Sequence, residues 1–243
     1  MRPTADGEQF LPRAVRLLAD ADETGAMFQA ARALRGVVRV DMPVHLGRDV
    51  VIPRLPELYA RYPNLELQLS MTDRRLDPVR EGFDCVLRVG ALADSGLVAR
   101  RLGVLPMTNC ASPGYLRNHG TPRDVADLDR HLLVHYAGAF GAEPPVFEHR
   151  VAGRAVTRPM RAIVTVNNVD AYHAACRAGL GIIQAPRRGV AADLAAGTLA
   201  EVLPDHTCEP MPVSLVHPHG RTVPRRVRAV LDWLAQQIQP QLA

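Results

Sequence analysis

The chain has no lysine, so each of its 29 basic residues is an arginine. The net charge is only +4, no arginine cluster is longer than two residues, and no aromatic side chains alternate with the pairs. Nucleic-acid surfaces need a concentrated basic patch, so this distribution argues against one in these residues. We attribute the missing lysine, alongside abundant alanine and proline, to genomic base composition.

Cysteine is scarce and widely spaced. Cys85, Cys110, Cys176 and Cys208 include no CxxC pair, which argues against a disulfide framework or a zinc site and suits a reducing compartment. No apolar run approaches membrane-spanning length, and the N-terminus lacks the apolar core of a signal peptide. We therefore expect a cytoplasmic protein with no membrane partner.

Motifs of the common enzyme classes are also missing. The sequence contains no GxSxG motif, no P-loop and no paired carboxylates at catalytic spacing. His217 lies near His219 and His131 near His135, but no carboxylate or cysteine accompanies either pair at the spacing of a metal site. The sequence therefore predicts no catalytic residue, no metal ion and no cofactor.

What is present is the composition of a globular protein, with 47% apolar and 22% charged residues. A β-branched run at 37–40 is followed by a helical pattern from 46 to 62 and a strand-like run at 65–71. This order predicts a β-α-β unit in a parallel sheet. Ligands of such sheets lie beyond the carboxyl ends of the strands.

A second β-α-β unit is predicted at 161–186, which indicates two similar α/β lobes. The chain is expected to cross between them near Pro106 and Pro212, so that the C-terminal helix at 224–237 returns to the first lobe. Two lobes joined by two strands form a hinge, and a ligand bound between them favours closure.

Residues 7–33 show helical periodicity ahead of the first strand. Their apolar stripe consists of Phe10, Leu11, Ala14, Val15, Leu18 and Ala21. A narrow stripe suits a seam between two helices. We interpret this helix as a self-association stalk, with a flank packed against the domain as the alternative.

Candidate ligand contacts in the first lobe are the residues at the ends of its strands. They are Pro43, Val44, His45, Leu46, Thr72, Asp73, Arg88, Val89 and Gly90. The helix that begins there has free N–H groups, which attract anions. His45 is otherwise an exposed loop residue, and Arg88 either binds a carboxylate ligand or pairs structurally with Asp73 or Asp84.

The second lobe has a corresponding helix N-terminus, which begins with Asn167, Asn168 and Val169. One asparagine is expected to cap the helix while its neighbour faces the cleft. Tyr136 and Pro186 end strands of the same lobe and complete the candidate set.

Seven short motifs follow one another in order: GVVRV with Pro43, LYARYP at 58–63, GFDCVLRVG at 82–90, LVARRLG at 97–103, ASPGYL at 111–116, AGLGI at 178–182 and RAVLDWL at 228–234. This ordered set resembles the effector-binding region of the LysR-type transcriptional regulators. The resemblance extends over roughly residues 7–238 and rests on the order of the motifs rather than on any one of them.

The resemblance implies an α/β fold like that of the type 2 periplasmic binding proteins: two Rossmann-like lobes joined by two crossover strands, with an N-terminal linker helix. Residues 1–35 would form the linker and dimerisation helix, 36–107 and 213–243 lobe I, and 108–212 lobe II. It also implies a small-molecule effector and a dimer or tetramer. DNA contact would come only through a winged helix-turn-helix that is absent from these residues.

His45 departs from the family pattern, which usually has Ser or Thr there as a hydroxyl for an acidic effector. A histidine ring still donates a hydrogen bond, and it adds charge when protonated. Organic acids and aromatic metabolites are the candidate effectors. The leading hypothesis is a ligand-sensing regulatory domain; a stand-alone solute-binding protein and an enzyme on the same fold are the alternatives.

Overall fold

A computed structural model describes residues 34–74, 77–92, 96–220 and 222–242, together with Thr4 and five N-terminal positions that are all helical: Gly7, Phe10, Ala14, Leu17 and Ala21. The rest of the predicted N-terminal helix lies outside the described residues, including Leu11, Val15 and Leu18 of its stripe. Within the described part of the chain, no helix is both long and apolar enough to span a membrane.

The strands of the described residues are β1 Arg35–Met42, β2 Asn64–Met71, β3 Cys85–Val89, β4 Val98–Leu105, β5 Met107–Ala111, β6 Leu132–Tyr136, β7 Val146–Val151, β8 Arg154–Pro159, β9 Arg161–Val166, β10 Ile183–Pro186, β11 Ala200–Glu201 and β12 Met211–His217. The helices after β1 are α1 at residues 44–61, α2 Pro78–Glu81, α3 Pro113–His119, α4 Val169–Arg177, α5 Ala191–Ala196 and α6 Arg225–Ile238. Short 3-10 turns lie at Ala126–Arg130, Arg187–Val190 and Gln239–Gln241.

The first lobe is built on a five-stranded sheet in the order β2-β1-β3-β12-β4. β1 is parallel to β2 and β3, whereas β12 is antiparallel to β3 and β4. The predicted opening β-α-β unit is confirmed, because β1 and β2 are parallel neighbours connected by α1. The carboxyl ends of these strands carry the first-lobe candidates to one edge of the sheet.

α1 changes geometry along its length. It is α-helical at Val44–Leu46, π-helical at Gly47–Val51, 3-10 at Ile52–Arg54 and α-helical again at Leu55–Arg61. Pro53 lacks an amide hydrogen, so the regular α-helical ladder is interrupted there. A Cβ at Gly47 would lie 2.6 Å from Sδ of Met71, so glycine allows this turn to approach the end of β2 closely.

The second lobe centres on β5, which is antiparallel to β10 and β11. β6 and β9 pair in parallel, and a parallel bridge between Leu133 and Ile182 brings β6 beside the start of β10. The predicted second β-α-β unit, β9-α4-β10, is confirmed with β6 between its strands. β7 and β8 form a hairpin whose fully buried Phe147 packs into this lobe's core.

Each lobe has its own hydrophobic core. The first contains the apolar face of α6, including Val227, Val230 and Trp233, packed against the first sheet. The second lobe has two adjoining clusters drawn from residues 110–203. The chain changes sheet at Pro106, between β4 and β5, and again between β11 and β12. The exact lobe limits given above stay a prediction.

The sequence also predicts a short helix at 75–82 that Pro78 interrupts and a further helix at 123–129, and both predictions need correction. Residues 75 and 76 lie outside the described residues. Pro78 does not interrupt a helix at 75–82 but begins α2, because the Asp77 carboxylate caps the Val79 and Arg80 amides and proline suits the first helical position. The helix predicted at 123–129 is a 3-10 turn, Ala126–Arg130. By contrast, Ser112 ahead of Pro113 predicts an N-cap, which is confirmed. A cap by one of the two asparagines at 167 and 168 is also confirmed, and the structure shows that it is Asn168.

Candidate functional site

Two helix N-termini from different lobes meet at the junction between the lobes. α1 begins after β1 and α4 begins after β9, each at the carboxyl end of a parallel strand. Nε2 of His45 lies 2.8 Å from Oδ1 of Asp170, so the first turns of the two helices are in direct contact. We call the region around His45, Asp73, Tyr136, Val169 and Asp170 the interlobe site.

The Asp73 carboxylate connects the two helices. Its Oδ1 accepts a hydrogen bond from the Val44 amide at 3.4 Å, and its Oδ2 accepts one from the Val169 amide at 2.8 Å. These amides belong to the first residues of α1 and α4. Helix N-termini carry partial positive charge, so a carboxylate between two of them is stabilised from both sides.

Basic side chains surround the contact between His45 and Asp170. Arg48 donates to Asp170 at 3.4 Å and to its neighbour Asp49 at 2.7 Å. The hydrogen bond from His45, followed by the charges of His45 and Arg48, lowers the pKa of Asp170. The His173 ring meets His45 edge-on at 5.2 Å, and burial lowers the pKa of His173 to about 4. His173 is therefore neutral at physiological pH.

Tyrosines line the second-lobe side of the site. The ring of Tyr136 packs edge-on against Tyr172, with centroids 5.5 Å apart. Burial, and after it the negative charge of Asp73, raises the pKa of Tyr136 to about 12. Tyr136 is thus a neutral phenol that can donate or accept a hydrogen bond.

Arg88 forms an ion pair with Asp41 in the first lobe. Its Nη1 donates to Oδ2 of Asp41 at 2.9 Å, and Thr72 donates to the other oxygen at 3.2 Å. The partner expected from the sequence was Asp73 or Asp84, whereas the ion pair forms with Asp41, which is fully buried at the end of β1. Burial raises the pKa of Asp41, while hydrogen bonds from Ser70, Arg88 and Thr72 and the charge of Arg88 oppose the rise.

The remaining candidates lie partly in the first-lobe core and partly at the ends of strands and helices. The side chain of Leu46 is buried in the first-lobe core, and Val89 packs against the same core. Gly90 has φ +99° and donates to the carbonyl of Pro212 at a crossing strand. Pro43 precedes α1, Asn167 is exposed ahead of α4, and Pro186 ends β10. Effector contact by any of them stays a prediction.

Sequence reasoning missed four polar residues of this region: Asp41, Arg48, Asp170 and His173. Asp41 ends β1 at the same edge as Asp73, so its position was a usable signal. Asp170 and Arg48 lie in the opening turns of amphipathic helices, where charged residues are usually solvated, and no local pattern distinguishes them.

Asn168 caps α4 by accepting the Ala171 amide at 2.9 Å. We therefore expect Asn168→Ala to lower the free energy of unfolding by about 1 kcal/mol, because it removes an N-cap. Asn168→Asp keeps the acceptor and should remain within about 0.5 kcal/mol of the wild type. Urea unfolding measures both; equal losses in the two variants would contradict a capping role.

Comparison with known proteins identifies the family of this chain. The family described as "LysR substrate binding domain" matches residues 31–239, which is most of the chain. The chain belongs to this family. Its relatives are transcriptional regulators. This chain is 41% identical to the uncharacterized HTH-type transcriptional regulator YhjC of Escherichia coli strain K12 over 233 residues. The alignment covers 96% of this chain and 78% of YhjC.

A second relative, the HTH-type transcriptional regulator DmlR of Escherichia coli strain K12, is 30% identical over 240 residues, which cover 96% of this chain and 76% of that protein. Among solved structures, the LysR-type transcriptional regulator CrgA of Neisseria meningitidis superposes with a TM-score of 0.73 at 26% identity. That superposition covers 97% of this chain and 80% of CrgA. The predicted α/β fold of two lobes, like the periplasmic binding proteins, is confirmed.

Proposed function

We propose that this LysR-family chain is a ligand-sensing regulatory domain, which binds a small-molecule effector between its lobes and has no catalytic activity. The observation that carries the proposal is the meeting of two helix N-termini, at Val44 and Val169, one from each lobe. Ligand sites of α/β sheets form beyond the carboxyl ends of their strands, where such helices begin.

The residues proposed to form the effector site, by contact or by support, are the predicted set: Pro43, Val44, His45, Leu46, Thr72, Asp73, Arg88, Val89, Gly90, Tyr136, Asn167, Asn168, Val169 and Pro186. Their placement narrows the roles. Leu46 would contribute its backbone, since its side chain is buried, and Arg88 would act by holding Asp41 rather than by binding ligand. His45, Tyr136 and Asn167 are the side chains best placed to touch a ligand directly.

Signal transmission is proposed to run through self-association. Phe10 of the predicted stripe and Leu17, which that stripe did not include, are helical, seven residues apart and therefore on one face, and their side chains are 68% and 69% exposed in a single chain. A second copy of the helix would bury them in a coiled-coil seam. An effector changes this assembly only if it binds one lobe arrangement more tightly than another. The relatives are named HTH-type regulators, and we assign DNA binding to a helix-turn-helix rather than to the two effector-binding lobes.

Calorimetric titration with a panel of amines, alcohols, aromatic compounds and organic acids tests the proposal. For any compound that binds the wild type, Asn167→Ala and Tyr136→Phe should each weaken binding by about tenfold, the effect of one lost hydrogen bond. Both changes spare the cap at Asn168.

Arg123→Ala, an exposed change in the second lobe outside the interlobe site, is the matched control and should bind as the wild type does. A compound that binds with unchanged affinity to both interlobe variants would place its site elsewhere and refute the assignment.

A further inference from the structure

We propose that the Asp73 carboxylate holds the two lobes together at the interlobe site. It lies between the N-termini of α1 and α4, where a ligand carboxylate would otherwise bind. This inference rests on the proposed function, because it names the kind of group that the sensing site accepts. Asp73 would then help determine which effectors bind. We call its pair of hydrogen bonds to the Val44 and Val169 amides the latch.

The geometry of Asp73 differs from that of an ordinary helix cap. A capping side chain satisfies the amides of its own helix, as Asn168 does for α4. Asp73 belongs to neither helix; it follows β2 and satisfies the first amide of α1 in its own lobe and the first amide of α4 in the other lobe. One carboxylate therefore joins two lobes through two helix N-termini.

Other polar contacts also join the two lobes. His45 contacts Asp170 at 2.8 Å, Arg48 reaches the same carboxylate, and Arg188 of the second lobe donates to Gln241 beyond α6. The chain alone thus already holds its lobes together by polar contacts. Two carboxylates take part, Asp170 beside His45 and Arg48 and Asp73 between the two helix N-termini, and only Asp73 accepts from the first amides of both helices.

A consequence for the effector follows from charge. A ligand carboxylate directed at the two helix N-termini would meet the Asp73 carboxylate at like charge, and it would have to displace its hydrogen bonds with both amides. A neutral or hydrogen-bond-donating group has no such conflict, because the carboxylate retains lone pairs beyond the two in use. We therefore expect the effector to present a donor, such as an amine or a hydroxyl, to this position.

Chemical rescue tests the latch with acetate as the probe. In Asp73→Gly the side chain is removed, so free acetate can enter between the two amides. The thermal midpoint of this variant should rise saturably, by about 3 °C or more at ten times the dissociation constant of acetate, in buffers matched for ionic strength with chloride. The wild type and Asp73→Asn should not respond, because the position is filled.

Asp205→Gly, which removes an exposed turn carboxylate of the second lobe, controls for the loss of charge and the added glycine; it should not respond either. An equal acetate response in the wild type and Asp73→Gly, or no response in Asp73→Gly, would overturn the proposal.

A second measurement is independent of whether Asp73→Gly folds. In Asp73→Asn the amide of Val169 loses its charged acceptor, so its hydrogen exchange should accelerate by about tenfold relative to the wild type, while the amide of Ala171 under Asn168 should be unchanged. An unchanged exchange rate at Val169 would also refute the latch.

These outcomes are separable from those of the effector panel. Acetate rescue without any effector would leave the latch standing and remove the sensing role. An effector that binds the interlobe site, without acetate rescue of Asp73→Gly, would support the sensing role and refute the latch.

Discussion

Arg88→Met is expected to lower the free energy of unfolding by about 3–5 kcal/mol at pH 7.5, the usual effect of removing one partner of a buried ion pair. Asp41 is 0% exposed and accepts from Arg88 at 2.9 Å. Without the guanidinium, its charge remains in the core with the hydroxyls of Thr72 and Ser70 but without the positive charge of Arg88. Urea unfolding followed by circular dichroism measures the loss.

This deficit should depend on pH. Burial already raises the pKa of Asp41, and removing Arg88 eliminates two of the causes that oppose the rise. A carboxyl whose folded pKa lies above its unfolded pKa contributes stability that is fully present below the unfolded value and is lost as the pH rises through the folded value. The difference between Arg88→Met and the wild type should therefore be smaller at pH 5 than at pH 7.5.

The chain provides a matched control in the ion pair of Arg100 with Asp232, which has the same length, 2.9 Å. Its side chains are 50% and 56% exposed, against 15% and 0% for the pair of Arg88 with Asp41. Arg100→Met should therefore lower stability by at most about 1 kcal/mol. Equal losses for Arg88→Met and Arg100→Met would show that burial of Asp41 does not govern the effect.

The double variant Asp41→Asn/Arg88→Met removes both charges. It should be more stable than Arg88→Met alone, because no uncompensated carboxylate remains in the core. A double variant as unstable as the single one, with no change between pH 5 and pH 7.5, would contradict the proposed cause.

Gly181→Ala is expected to lower the free energy of unfolding by about 3 kcal/mol, since backbone strain and overpacking act together. Gly181 has φ +154°, and a Cβ there would lie 2.7 Å from the carbonyl oxygen of Leu132. That oxygen accepts the Ile182 amide at 2.8 Å, so it cannot move away without breaking the bridge between β6 and the start of β10. Thermal and urea unfolding measure the change.

Gly197→Ala is the control for this position. Gly197 also has a positive φ, +70°, but apart from its two chain neighbours no atom of the described residues lies within 4 Å of the added Cβ. Only the conformational penalty applies, about 1 kcal/mol. If the two variants lose the same stability, the close approach at Leu132 does not matter.

Short-range features of the fold could be predicted with good accuracy. The opening β-α-β unit, the N-cap at Ser112 and an asparagine cap at 167 or 168 follow from residue types within a few positions of one another, and all are found in the structure, with Asn168 as the asparagine cap. The geometry of α1 could not be read in this way. Pro53 marks an interruption of the ladder, but the sequence does not show that π-helical and 3-10 turns replace it or that Gly47 lies close to Met71 in β2.

The polar contacts of the interlobe site were less predictable. The sequence identified Arg88 as a charged group at the end of a strand but left several possible partners for it. The register of β1 beside β3 brings Asp41 to Arg88. His45 and Asp170 are 125 residues apart in sequence, and their contact depends on how the two lobes sit against each other.

The amino-acid sequence by itself determined the two α/β lobes, the order of their elements and the edge of each sheet at which polar residues collect, because hydrophobic periodicity and helix caps are local properties. The tertiary structure alone decided that one carboxylate, Asp73, connects both helix N-termini and that Asp41 holds Arg88. Such partners are selected by strand register and by the packing of one lobe on the other, which no short stretch of residues encodes.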